Sequence, residues 1–207
     1  MSVSDFFDLL YQNLTHTTWL EAVAVLFGLL SVWYARKENI LVFPTGIISV
    51  LIYVYICHFA GLYADMGING FYFLMSVYGW YNWTHQDSEQ QTIAISYNTA
   101  KQHLLSIVGT IVFFVVLYFV LSQYTDSTVP AWDSATTAIF IVGMWLMALK
   151  KVENWIFWII GDLVSIPLYF YKGLALTSFQ FTVFLVLAVW GYIEWRKKVK
   201  EQQQCAI

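Results

Sequence analysis

The chain of 207 residues is 59% hydrophobic and only 11% charged, with a formal net charge of −3 and a mean hydropathy of +0.63. So little polar surface cannot coat a soluble globule, and the composition reads as a polytopic membrane protein. The sum of the charges decides nothing here, because in membrane proteins their placement matters more.

Met1 to Thr18 contains Asp5 and Asp8 and no Lys or Arg, so it does not read as a cleaved signal peptide. A short amphipathic segment on the membrane surface, residues 1–17, is the expectation. Seven stretches then approach the roughly 20 apolar residues that a hydrocarbon core requires. They run from Thr18 to Ala35, Ile40 to Ala60, Met66 to Trp83, Gln102 to Leu121, Trp132 to Leu149, Asn154 to Tyr171 and Ala175 to Trp195. The one long polar connection, His85 to Lys101, holds the run Gln86-Asp87-Ser88-Glu89-Gln90-Gln91 and reads as an internal linker.

With seven crossings, one side of the membrane receives Arg36, Lys37, Lys101, Lys150, Lys151, Arg196, Lys197, Lys198 and Lys200, and the other receives only Lys172. The positive-inside rule then places the C-terminus in the cytoplasm and the N-terminus outside.

An internal repeat joins the two ends of the chain. Glu38-Asn39 and Gly46 pair with Glu153-Asn154 and Gly161, and Gly28 with Gly143. Further on, Gly61-Leu62 pairs with Gly173-Leu174, and Tyr78-Gly79-Trp80 through Trp83 with Trp190-Gly191-Tyr192 through Trp195. The expected fold is an all-α membrane protein of seven transmembrane helices in a 3+1+3 parallel-repeat arrangement, with a site near the midplane. Its parts are a first three-helix repeat at 18–83, a cytoplasmic loop at 84–101, a linking helix at 102–131, a second repeat at 132–195 and a cytoplasmic tail at 196–207. In this pairing Asp162 stands opposite Ile47 and Trp158 opposite Phe43, so an acidic aromatic face belongs to one half alone. Asn39 and Asn154 share the task of bracing a turn.

That face is the strongest functional signal. Trp155, Trp158, Asp162, Ser165 and Tyr169 recur at steps of three and four and share one side of the sixth segment. A carboxylate at the centre of a membrane helix costs about 2.5–3.5 kcal/mol on insertion scales, so Asp162 is expected to face a polar cavity or partner. The bland alternative is a carboxylate bonded to neighbours for structure. Trp155 reads equally well as an interface-belt residue. Trp158 lies deeper, where its ring suits a flat cation. Asn69, Tyr72 and Ser76 form a small polar stripe on the third segment, and Gln180 stands on the seventh; interhelical bonding is the alternative for all four. Pro44 and Pro167 are expected to kink their helices. Glu21 and Glu194 read as interfacial carboxylates, and His58 and His103 as residues without a role.

No phosphate-binding glycine loop, nucleophile motif or Cys/His cluster marks an enzyme, and no cofactor or metal site is implied. Cys57 and Cys205 form no disulfide framework.

The segments Val152-Glu153-Asn154-Trp155 through Trp158, then Ser165 and Tyr169, with Leu62-Tyr63-Ala64 and Tyr78-Gly79-Trp80-Tyr81 through Trp83, resemble the Pnu family of bacterial vitamin transporters. The resemblance covers Trp19 to Lys198. It implies a bacterial inner-membrane carrier with a fold like a full-length version of the SWEET sugar transporters. It also implies a homotrimer, and facilitated diffusion with later trapping by a cytoplasmic kinase. The substrate would lie between the sixth helix and the aromatic and amide positions of the third. Members that carry nicotinamide riboside tend to have Asn where this chain has Asp162 and Gln where it has Asn69. Because an aminopyrimidine donates well to a carboxylate, the difference points to thiamine as the leading substrate, with nicotinamide riboside the alternative. A neutral sugar carrier or a non-transporting membrane protein is more remote.

Overall fold

The computed structural model describes residues 18–85 and 92–205; the expected surface segment 1–17 and the polar run from Gln86 to Gln91 lie outside them. Among the described residues are seven helices: α1 (Trp19–Arg36), α2 (Val42–Phe59), α3 (Tyr63–Thr84), α4 (Ala100–Tyr124), α5 (Pro130–Ala148), α6 (Asn154–Tyr171) and α7 (Ala175–Cys205).

Local chemistry explains where they begin and end. Thr18 with Glu21, and Thr99 with Gln102, form capping boxes that open α1 and α4. Glu21, read as a loose interfacial group, is thus a capping residue. The second box starts α4 two residues before the expected Gln102. Past Trp195, α7 continues through charged residues that favour helix, with Lys197 and Glu201 paired one turn apart at 3.7 Å.

Pro44 does not kink α2. It is the third residue of that helix, in the first turn, where its missing N–H would have had no intrahelical acceptor. Pro167 does stand inside α6, which continues as helix to Tyr171.

Five helices, α1, α2, α4, α5 and α7, are long and apolar enough to cross a membrane by length and composition. The other two, α3 and α6, carry the amide, carboxylate and hydroxyl groups singled out above. Much of the outer surface is apolar; α4 alone exposes Leu104, Ile107, Val108, Ile111, Val115 and Phe119, as suits a helix facing lipid.

In each half the helices pack in series, α1 on α2 on α3 and α5 on α6 on α7. The halves meet where α1 packs on α7 and α3 on α5, while α4 packs on α5. Exchanging the first triplet with the second maps the contacts within and between the triplets onto themselves, and α4 on α5 is the exception.

The sequence pairs stand at two offsets, 115 for Glu38-Asn39, Gly46 and Gly28 and 112 for Gly61, Gly79 and Trp83, and the structure follows 112 throughout. Arg36 with Ala148, Val42 with Asn154, Phe59 with Tyr171 and Tyr63 with Ala175 are each 112 positions apart. Packing obeys the same offset. Trp83 Nε1 donates to Met147 O at 3.2 Å, and Trp195 Nε1 to Ala35 O at 3.1 Å. A Cβ on Gly79 would run into the Phe43 ring, and one on Gly191 into the Trp155 ring. Gly61 and Gly173, with φ of +72° and +75°, turn the chain at equivalent places.

Asp162 is therefore equivalent to Val50, not Ile47, and Trp158 to Gly46, not Phe43. The Glu-Asn dipeptides had set an offset three residues too long. Asn39 and Asn154 are not counterparts, though each braces a turn: Asn39 Oδ1 accepts from Leu41 N at 2.9 Å, and Asn154 Nδ2 donates to Lys151 O.

Candidate functional site

Between the halves lies a cavity of about 440 Å³. The offset of 112 explains most of its walls, because eighteen of the twenty-five lining positions fall in pairs. Val32, Ala35, Phe43, Val50, Asn69, Tyr72 and Ser76 correspond to Met144, Met147, Trp155, Asp162, Phe181, Phe184 and Ala188, and all fourteen face the cavity. Two further pairs set its shape: Gly28 against Phe140, and Gly46 against Trp158. Glycine in the first half leaves the volume that large rings enclose from the second.

Those rings form a continuous stack. Trp158 lies on Phe140 with centroids 5.3 Å apart, Phe140 on Phe181 at 5.9 Å, and Phe181 on Tyr169 at 5.1 Å, with interplanar angles of 27°, 9° and 14°. The stack is fixed by close helix contact, since a Cβ on Gly161 would collide with the Phe140 ring. Such a wall suits a flat aromatic ligand.

Within this wall Asp162 is 2% exposed, and its Oδ2 has no hydrogen-bond partner. No cationic side chain reaches it among the described residues. Burying an ionised carboxylate without a partner is unfavourable by several kcal/mol, so the site is incomplete as a purely structural arrangement. The indole N–H of Trp155, also at the cavity, is likewise unpartnered and buried. The cavity thus offers an acceptor, a donor and an aromatic face, the combination that orients a flat, positively charged, hydrogen-bonding molecule.

Eight of the nine residues proposed from sequence line this one cavity: Asp162, Trp158, Trp155, Tyr169, Asn69, Tyr72, Ser76 and Gln180. Ser165 does not. It is wholly buried, and its Oγ has no partner. At about 100° per residue Ser165 is turned roughly 60° from Asp162 toward Gly161, the side that packs on Phe140 of α5. Trp155 is no belt residue: it is 1% exposed and meets Trp195 edge-on at 5.6 Å. Asn69 donates its Nδ2 to Asp65 O at 2.9 Å, which leaves its carbonyl oxygen to offer.

No signal in the sequence marks Phe140, Phe181 and Phe184, which in composition match any lipid-facing phenylalanine. Ser31 and Ser49 also line the cavity, but their hydroxyls donate to Val42 O and Ala24 O, both at 2.8 Å. They serve helix packing.

A protein family described as Nicotinamide mononucleotide transporter matches residues 18–197. The nicotinamide riboside transporter PnuC of Escherichia coli (strain K12) is 26% identical over 92% of this chain and 90% of its own. PnuC of Neisseria mucosa is 29% identical over 88% and 74%. The riboflavin/roseoflavin transporter RibM of Streptomyces davaonensis is 24% identical over 87% and 85%. Among solved structures, a crystal structure of the vitamin B3 transporter PnuC superposes with a TM-score of 0.71 at 27% identity, covering 95% of this chain and 90% of that one.

Proposed function

This chain belongs to the nicotinamide mononucleotide transporter (Pnu) family of vitamin transporters, and from that premise we propose that it carries nicotinamide riboside across the membrane. The thiamine preference drawn from Asp162 has no support in these relatives, which are named for nicotinamide riboside and riboflavin. A single carboxylate also recognises either cationic ring, so it does not decide between them.

The observation that carries a flat cationic substrate is the unpartnered, buried Asp162 in an aromatic wall, and the relatives named for nicotinamide riboside support that vitamin as the cation. The pyridinium of the riboside stacks on that wall with its positive charge toward Asp162. Its amide and ribose hydroxyls take the polar groups of α3 and α7, namely Asn69, Tyr72, Ser76 and Gln180. Trp155 supplies an N–H donor from the end of the cavity near Trp195.

The carrier works by facilitated diffusion, the second triplet rocking against the first around the bound vitamin, and a cytoplasmic kinase traps the product. The end bearing Arg36, Lys150 and Lys198 faces the cytoplasm of a bacterial inner membrane, by the excess of Lys and Arg there. The assembly is a homotrimer, a reading that rests on the family resemblance.

Calorimetric titration of the purified protein with nicotinamide riboside, thiamine and riboflavin tests the substrate. The riboside should bind most tightly; thiamine binding alone would reverse the assignment.

A further inference from the structure

The polar contacts that tie one half to the other gather at a single end of the bundle. Glu38, in the α1–α2 turn, accepts from Lys150 Nζ in the α5–α6 turn and from Lys198 Nζ of α7, both at 2.9 Å. Arg36 pairs with Glu194 at 3.4 Å, and Asn82 Nδ2 donates to Ala148 O at 2.9 Å. The Trp83 and Trp195 bonds across the halves are at the same end. At the opposite end the ion pair of Lys172 with Asp133, at 2.6 Å, stays within the second half.

An extended segment, residues 92–99, lies over this basic end. Ser96 forms a parallel bridge with Lys151: Ser96 N donates to Lys150 O at 3.1 Å, and Val152 N to Ser96 O at 3.0 Å. Lys151 Nζ donates to Ser96 Oγ at 2.8 Å, and Asn98 N to Glu153 Oε2 at 2.9 Å. The side chain before the bridge, Ile95, is 2% exposed and joins the buried cluster of Trp83, Met147, Val152, Trp155 and Trp195. Met147 and Trp155 from that cluster also line the cavity. Ile95 therefore backs the wall that separates the cavity from the basic end.

A polar linker has no reason of its own to bury an isoleucine or to add a bridge to a helix turn. From this placement we infer that residues 92–99 are a strap that seals the basic end of the cavity, with Ile95 as its plug. Release of the Ser96 bridge is the step that opens this end. The inference rests on the transporter reading for its role, but not on the identity of the vitamin. While the strap is seated it is bonded to the α5–α6 turn from Lys150 to Glu153, and a ligand in the cavity has no exit past Met147 and Trp155.

The test uses the full chain with Cys57→Ser and Cys205→Ser, and a reporter cysteine at the cavity position Val50. Right-side-out and inverted membrane vesicles are treated with a membrane-impermeant, trimethylammonium-bearing methanethiosulfonate, so that each end is probed separately. Ser96→Pro removes the N–H that bonds Lys150 O and should raise labelling from the basic end by about tenfold, leaving the other end unchanged. Should that variant fail to fold, Ser96→Cys with Lys151→Cys locks the bridge by a disulfide. In that double variant, with Val50 left in place, oxidation should stop nicotinamide riboside flux and a reductant should restore it. Unchanged labelling in Ser96→Pro, or full flux in the oxidised protein, would overturn the strap. Normal strap behaviour in a protein that fails to bind nicotinamide riboside would overturn the substrate reading instead.

Discussion

Asp162 and Gly161 are neighbours with opposite duties. Asp162 faces the cavity unpartnered, so Asp162→Asn should weaken binding of a cationic vitamin by about ten- to a hundredfold, the range for losing a charge-assisted hydrogen bond. The same change removes a buried charge, so thermal stability of the empty protein should hold or rise. Glu194→Gln, at the half-exposed pair with Arg36, should leave affinity within about twofold. Titration calorimetry and thermal unfolding in detergent separate the effects, and parallel loss of both affinity and stability would make Asp162 structural. Gly161→Ala puts a methyl into the Phe140 ring, which cannot yield because Trp158 and Phe181 lie stacked beside it. A loss of about 1–3 kcal/mol in unfolding free energy is expected, together with weaker binding through the disturbed stack. Of this residue-level picture, Asp162 and Trp158 were legible in the sequence because a membrane carboxylate is rare. Phe140 and Phe181 were not, because a cavity-facing phenylalanine and a lipid-facing one are the same letter. Ser165 falls outside the cavity because steps of three and four spread over about 80° of a helix, enough to reach the next helix.

At the scale of elements, the α1–α2 and α5–α6 turns close α1 and α5 in the same way. Each ends with a residue at positive φ, Glu38 at 58° and Lys150 at 52°, at positions 112 apart where glycine is the usual choice. Both accept a backbone penalty of about 1 kcal/mol, and their side chains pair with each other across the interface of the halves. A double-mutant cycle of Glu38→Gln and Lys150→Met should show a coupling of about 1–2 kcal/mol in unfolding free energy; additive losses would mean the pair does not clamp the halves. Burial works against the Glu38 carboxylate, but the Lys198 and Lys150 ammonium groups outweigh it and hold its pKa below the ordinary glutamate value. A depressed folded-state pKa stabilises above the unfolded value and is lost as pH falls through the folded one. The clamp should therefore be constant near neutrality and weaken below about pH 4, and Glu38→Gln should flatten that acid limb of the melting curve. The seven helices themselves were legible, although length and hydropathy alone locate only α1, α2, α4, α5 and α7. The register of the repeat was legible only in its second part, where Gly61, Gly79 and Trp83 pair at 112; in the first part a slip of three residues turns a helix by only about 60°, so apolar faces still matched and the Glu-Asn dipeptides decided wrongly.

For the whole molecule, the two-fold arrangement supplies a cavity and the departures from it supply selectivity. Symmetric helices bring equivalent positions to one cavity, and the exchange of Gly28, Gly46 and Val50 for Phe140, Trp158 and Asp162 makes one wall open and the other aromatic and acidic. Nothing in the described residues adds a second unpaired carboxylate to this cavity. On the proposed reading of facilitated diffusion, the carrier moves its cation alone. Its flux should then follow the membrane potential, which is worth about 2.3 kcal/mol per elementary charge per 100 mV. In sealed vesicles holding the purified protein, a potential of about −60 mV inside should concentrate nicotinamide riboside roughly tenfold. An imposed pH gradient with the potential clamped at zero should leave it at equal concentration on both sides. Uphill accumulation driven by that pH gradient would show proton coupling and end the reading of facilitated diffusion. Accumulation indifferent to the potential would mean that the charge on the vitamin is compensated during the crossing.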